Sequence, residues 1–187
     1  AIGALTTKAI EGYAAQEQLV GGVETLFKTS SDTVVGYAND AYKTAGMSAN
    51  EYMETVTSFS ASLLASMNND TAAAAEKANV AITDMSDNAN KMGTDISLIQ
   101  NAYNGFAKQN YTMLDNLKLG YGGTKEEMQR LLDDASKLSG IKYDISSYSD
   151  IVDAIHVVQT EMGITGTTAK EASTTIEGSV SSVSSAW

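Results

Sequence analysis

Residues 48–67 read Ser48-Ala-Asn-Glu-Tyr-Met-Glu-Thr-Val-Thr-Ser-Phe-Ser-Ala-Ser-Leu-Leu-Ala-Ser-Met67, and the fold class is decided in this stretch. Ser48 and Glu51 stand at the spacing where a hydroxyl and a carboxylate satisfy each other's free amides at a helix N-terminus. Downstream, Tyr52, Val56, Phe59, Leu63 and Met67 recur every three or four residues, which places one apolar stripe along a helix.

Working outward, the same punctuation returns. Thr124–Glu127 and Thr168–Glu171 repeat the capping-box pattern, and Asp70 and Thr94 are further N-cap candidates. Gly46, Gly93, Gly140 and Gly163 fall where helices should end, at positions that accept the left-handed conformation. Between these marks run stripes at helical spacing: Ala74, Ala78, Ala81, Met85, Ala89 and Met92; Ile96, Ile99, Tyr103 and Phe106; Met128, Leu131, Leu132, Ala135 and Leu138; Ile151, Ile155, Val158 and Met162. The opening segment carries Leu5, Ala9, Gln16, Val20, Val23 and Phe27, with Gly21-Gly22 expected to weaken or kink it, and the closing one carries Ile176, Val180, Val183 and Trp187.

The spacing predicts an all-α chain of about seven helices, with a bundle-like compact body and extended terminal helices of coiled-coil type. Residues 1–46 read as a helical lead-in, 47–163 as the compact core and 164–187 as a helix continuing into a rod. The thin terminal stripes each call for a partner helix. Residues 109–124 read as the irregular part. Ala1 is not an initiator Met, and the chain stops within a helical pattern, so it reads as a piece of something longer or a processed form.

Composition narrows the chemistry. The 187 residues carry a net charge of −11, no Cys, no Pro and one His. Without Cys and with a single His, thiolate and multi-histidine metal sites are excluded, which leaves only an all-oxygen cation site. The acidic balance argues against tight nucleic-acid binding through phosphate neutralisation. No apolar run approaches the ~20 residues of a membrane span. With 25 Ala, 20 Ser and 19 Thr, about a third of the chain is small, which suits helices that pack closely without Pro to break them. No cofactor is expected.

The local motifs have plain readings. Gly120-Tyr-Gly-Gly-Thr-Lys125 lacks the Gly-Lys-Ser/Thr order of a phosphate loop, and Glu126 would repel phosphate, so it reads as a glycine turn into a capped helix. Ser86-Asp-Asn88 and Ser139-Gly-Ile-Lys142 match serine-acylase patterns in reverse order and read as chance. His156 would need a Ser or Asp brought to it across space to do chemistry; a packed or half-exposed helix histidine is the preferred reading. Glu126-Glu127 and Asp133-Asp134 read as a solvated face, not a glycosidase pair. Tyr103, Phe106, Tyr111, Tyr121, Tyr143 and Tyr148, with Trp187, form a candidate interaction surface; the competing and preferred reading of the tyrosines is bulk for a core poor in Phe and Trp.

Three blocks carry a resemblance. Ala41-Tyr-Lys-Thr-Ala-Gly-Met-Ser-Ala-Asn-Glu-Tyr-Met-Glu-Thr-Val-Thr-Ser-Phe59 is the first. The second begins with Asn88-Ala-Asn-Lys-Met-Gly-Thr94 and runs from Ile99-Gln-Asn-Ala-Tyr-Asn-Gly-Phe106 through Leu119-Gly-Tyr-Gly-Gly-Thr-Lys-Glu-Glu-Met-Gln-Arg-Leu-Leu132. Gly163-Ile-Thr-Gly-Thr-Thr-Ala-Lys-Glu-Ala-Ser-Thr-Thr-Ile-Glu-Gly-Ser-Val180 is the third. Together they resemble the core region of phage tail tape measure proteins, of the type found in long non-contractile-tailed phages and prophages of Gram-positive hosts. The resemblance covers about residues 38–187, and residues 8–28 look like the family's lead-in.

The resemblance implies a structural virion protein in the tail lumen, present in the host cytoplasm during assembly, that takes part in tail length determination, tail assembly and genome ejection. It implies self-association, as a trimer, and contacts with tail tube proteins, tail-tip proteins and tail assembly chaperones. The chain is too short for a whole family member, and residues 29–40 look shorter than the family's equivalent. A secreted or surface helical effector and a peptidoglycan hydrolase fragment are the alternatives.

Overall fold

The computed structural model describes residues 2–175, with side chains from residue 11 onward. Ser48 opens a helix as its sequence requires: its hydroxyl accepts the Glu51 N–H at 3.2 Å, and its own N–H donates to the Glu51 carboxylate at 2.7 Å. This helix, α3 (Ala49–Ser66), buries Tyr52, Met53, Val56, Phe59, Leu63 and Leu64. It packs against α1 (Ile2–Phe27), α2 (Ser31–Thr44), α4 (Thr71–Met92), α5 (Ile96–Ala107) and α7 (Tyr148–Glu161), and so forms the axle of the fold. Each buried aliphatic or aromatic side chain along it is worth about 1.5–3 kcal/mol of transfer free energy.

α6 (Lys125–Ser139) pairs with α7, and residues 167–175 are again helical. The described residues are all-α with no strand, and 3-10 turns occupy Lys28–Ser30 and Leu114–Leu117. One contiguous core collects side chains from every one of these seven helices. It includes Val23, Phe27, Val34, Ala38, Ala41 and Ala45, so the core reaches well into the segment before residue 47.

α1 runs through Gly21-Gly22 without a break, because Val23 and Phe27 are clamped in the core and packing outweighs the glycine penalty of about 1 kcal/mol each. Its residues 11–18 are all exposed. Gly46, Gly93, Gly140 and Gly163 all take positive φ, as helix-ending glycines do. Asp70 caps α4 through the Ala73 N–H at 3.1 Å.

Two expected caps differ. Asp95, not Thr94, caps α5, accepting the Ser97 N–H at 2.8 Å, while the Thr94 hydroxyl is buried without a partner. An Asp acceptor two residues before a free amide outcompetes a Thr that the chain has already turned inward. Two stripes also end early: Leu138 and Met162 are 50% and 46% exposed. The stripe ending in Trp187 and the expected coiled-coil continuation lie outside the described residues.

Candidate functional site: a polar seam between α4 and α7

α4 and α7 meet across a line of polar side chains. Lys77 donates to the Ser149 hydroxyl at 2.9 Å and the Asp153 carboxylate at 2.5 Å. One to two turns on, both oxygens of Asp84 contact Nδ1 of His156 at 2.9–3.0 Å, and the Gln159 amide donates to the Asp84 main-chain carbonyl at 3.1 Å. Asn88 then donates to the Gln159 side-chain carbonyl at 2.8 Å and to the Leu117 main-chain carbonyl at 2.9 Å. Residue numbers rise together on both sides, so the two helices run parallel.

The seam is deep. Asp84 is 1% exposed, and Asp87, Asn88 and Gln159 are fully buried. Burial pushes the Asp84 carboxyl upward against the opposing pull of His156. The hydrogen bond to Asp84 raises His156, helped by the nearby charges of Asp84, Asp153 and Asp87. The Tyr103 phenol lies close enough to feel Asp84, yet its hydroxyl is buried without a partner, and burial pushes it well above its usual value.

A carboxylate holding Nδ1 of an imidazole is the orienting half of a catalytic triad, which also needs a hydroxyl or thiol at the ring. The hydroxyls nearest in sequence are engaged elsewhere: Ser149 takes Lys77, and Thr160 donates to the His156 carbonyl. The pair fastens α4 to α7, and its hydrogen bond holds the imidazole above its ordinary value. His156 matches the half-exposed helix histidine of the sequence reading, with an Asp added across space.

Asp87 faces the other way. Its two oxygens accept the N–H groups of Gly166 and Thr168 at 2.8 and 2.9 Å, so it caps the helix at 167–175 from across the fold. This corrects the capping box expected at Thr168–Glu171: the Thr168 hydroxyl is buried without a partner, and Glu171 accepts from Asn90 at 2.8 Å. The helix begins one residue before Thr168, so a residue expected to cap it is already inside it.

The tyrosines resolve towards packing. Tyr103, Phe106, Tyr111, Tyr143 and Tyr148 are buried in the core and present no surface, because a core with three Phe and one Trp in the whole chain draws its bulk from Tyr. Phe59 meets Tyr148 edge-on at 6.4 Å, Tyr103 meets Phe106 at 5.8 Å, and the Tyr148 hydroxyl donates to the Tyr103 carbonyl at 3.0 Å. Tyr121 is half-buried, and Trp187 lies outside the described residues.

Around Tyr121 the glycine turn closes on its own side chains. Arg130 stacks over the Tyr121 ring at 4.3 Å and donates to the Gly120 carbonyl, and the Tyr121 hydroxyl donates to Asp134 at 2.6 Å. Thr124 accepts the Glu127 N–H, but the Glu127 carboxylate takes the Gly122 N–H and pairs with Arg130, so only half of the expected capping box forms. Arg130 and Glu127 thus fill the space where a phosphate would need free amides.

Lys77, Asp84 and Gln159 carry no motif, and Asp87 and Asn88 stand in the sequence only as part of the chance match Ser86-Asp-Asn88. The available signal was the run Asp84-Met-Ser-Asp-Asn88, whose polar residues flank the Ala81–Met85–Ala89 stripe so closely that they must share its buried side. Among the described residues, no group of three or more His, Asp or Glu side chains gathers as a metal site, and no helix is long and apolar enough to cross a membrane. Comparison with protein-family models, curated proteins and solved structures finds no match.

Proposed function

We propose that the chain is a globular node of a phage tail tape measure protein, acting in tail length determination, tail assembly and genome delivery from within the tail lumen. The residue blocks between Ala41 and Val180 carry this reading. A physical observation supports it: α1 is 26 residues long, yet residues 11–18 are all exposed and Val23 is the first fully buried of its described side chains, so this stretch stands off the body as a rod joined to a node would. A projecting helix with so thin a stripe gains stability from a partner helix, which suits self-association. In this reading the body docks on tail tube, tail-tip or chaperone proteins and has no catalytic role. The net charge of −11 suits a protein that shares a channel with DNA without adhering to it.

The test is in-frame removal of residues 19–164, the whole body as the core defines it, from the full-length gene. A rod segment of that length would shorten tails by about 220 Å at ~1.5 Å per residue. A node instead stops assembly or leaves tails of nearly normal length. Proportional shortening, or virions without the protein, overturns the proposal. The flanking genes are expected to encode a tail tube protein and chaperones; a secretion cluster would favour the effector reading.

A further inference from the structure

We propose that residues 165–175 form a hinged arm, latched to the body by the buried carboxylate of Asp87, which swings free as a unit while the body stays folded. Four observations converge on it. Two residues in the left-handed region stand at the base of the arm, Gly163 at φ 71° and Gly166 at φ 88°. Ile164, between them, is 1% exposed and anchors the hinge in the core. Beyond Ile164 no side chain through residue 175 is buried; only Thr167, Thr168 and Ala172 are even half-buried. With so little apolar surface removed from water, hydrophobic docking contributes little to the closed position.

What holds the arm is polar. Asp87, fully buried on α4, gives one oxygen to the Gly166 N–H and the other to the Thr168 N–H, and Asn90 donates to Glu171 farther out. The negative group sits at the positive end of the arm's helix dipole, which adds to the two hydrogen bonds. The closed position also carries a cost, since the hydroxyls of Ser86 and Thr168 are buried there without partners. A shallow open groove bordered by Gly46, Ser86, Ala89, Ile96, Thr168 and Ala172 runs along the joint, so water reaches it. A segment held by the Asp87 bonds, the Asn90–Glu171 bond and a Thr160–Thr165 hydroxyl contact, with little apolar burial, opens locally well before the body unfolds. Asp87 therefore sets the direction in which the chain leaves α7.

Amide hydrogen exchange on the full chain tests this. In the wild type, the Gly166 and Thr168 amides are expected to exchange at least tenfold faster than the α3 core amide of Leu63, with little dependence on low urea. In Asp87→Asn, which presents an NH2 group to one of the two amides, they should exchange between about tenfold and a hundredfold faster still, with Leu63 unchanged. Gly166→Ala strains the hinge without touching the buried side chain and should give the same pattern, so the idea stays testable if Asp87→Asn does not fold. Exchange of the arm only in step with Leu63 in the wild type overturns the latch. So do arm amides that neither substitution accelerates.

Discussion

Replacing His156 by alanine isolates the one charged contact of the seam whose carboxylate is wholly inside the protein. Asp84 is 1% exposed, and the imidazole is the donor placed against its oxygens at 2.9–3.0 Å. Removing one partner of a fully buried pair costs about 3–5 kcal/mol. The His156 side chain is 40% exposed, so water enters the space it vacates, and the expected loss falls to about 2 kcal/mol. Asp84→Asn keeps an acceptor for Nδ1–H without the charge and should cost about 1 kcal/mol. Added to His156→Ala, it should recover about 1 kcal/mol, since no unpaired charge then remains inside.

The pH dependence gives the same experiment a second readout. His156 is the only histidine and there is no cysteine, so among ordinary side-chain values only its own, about 6.5, falls in the window from about pH 6 to about pH 8.5. Its folded pKa lies above the unfolded value of about 6.5, so the folded state binds more protons in this window. The stabilisation is fully present below the unfolded pKa and is lost as pH rises through the folded one. Urea unfolding followed by far-UV circular dichroism at the two ends of the window should show wild type weakening at the alkaline end. His156→Ala combined with Asp84→Asn should lack that difference, since removing the histidine alone leaves a carboxyl that burial already pushes upward; the terminal amine titrates in both proteins and cancels. A His156→Ala protein within about 0.5 kcal/mol of wild type at pH 6, or a double variant with the wild-type pH slope, would refute the reasoning.

Three further outcomes are expected from thermal or urea melts. Gly123→Ala should cost about 3 kcal/mol, because its Cβ would stand 2.3 Å from the Thr112 carbonyl oxygen, which belongs to backbone; Gly122→Ala, meeting only the flexible Glu127 side chain at 3.6 Å, should stay within about 0.5 kcal/mol. Tyr103→Phe should be neutral or stabilising by about 1 kcal/mol, since it removes a buried hydroxyl without a partner, whereas Tyr148→Phe loses a bond to the Tyr103 carbonyl and should cost about 1 kcal/mol. Asp95→Ala should lower the melting temperature and Thr94→Ala should not, which separates the residue that caps α5 from the neighbour that only looks able to.

The helices were legible because their signals are local. Ser48, Asp70 and the four glycines act within one turn, and the stripes of α3 and α5 bury as their spacing says. The seam was not legible, because periodicity names the face of a helix and not what lies opposite it. His156 finds Asp84 72 residues away, and Gly166 finds Asp87 across 79. The same limit explains Thr168: its pattern with Glu171 is a valid local cap, and a buried carboxylate from another helix displaced it. Leu138 and Met162 mark the opposite error, where a stripe outlasts the partner that would cover it.

The parallel pairing of α4 with α7 bears on how the chain avoids sliding. The α4 face is mostly alanine from Ala74 to Ala81, and so smooth a surface offers little resistance to a one-turn slip. The three rungs are chemically unlike: an ammonium on a carboxylate, a carboxylate on an imidazole, and an amide on an amide. Shifting α7 by a turn in either direction would set these groups against apolar neighbours or against the wrong charge. Buried polar groups that cost stability elsewhere here select one alignment, as a single buried Asn does for paired coiled-coil helices. The small side chains that bring the helices close thus leave the choice of register to three polar residues on α4 and four on α7.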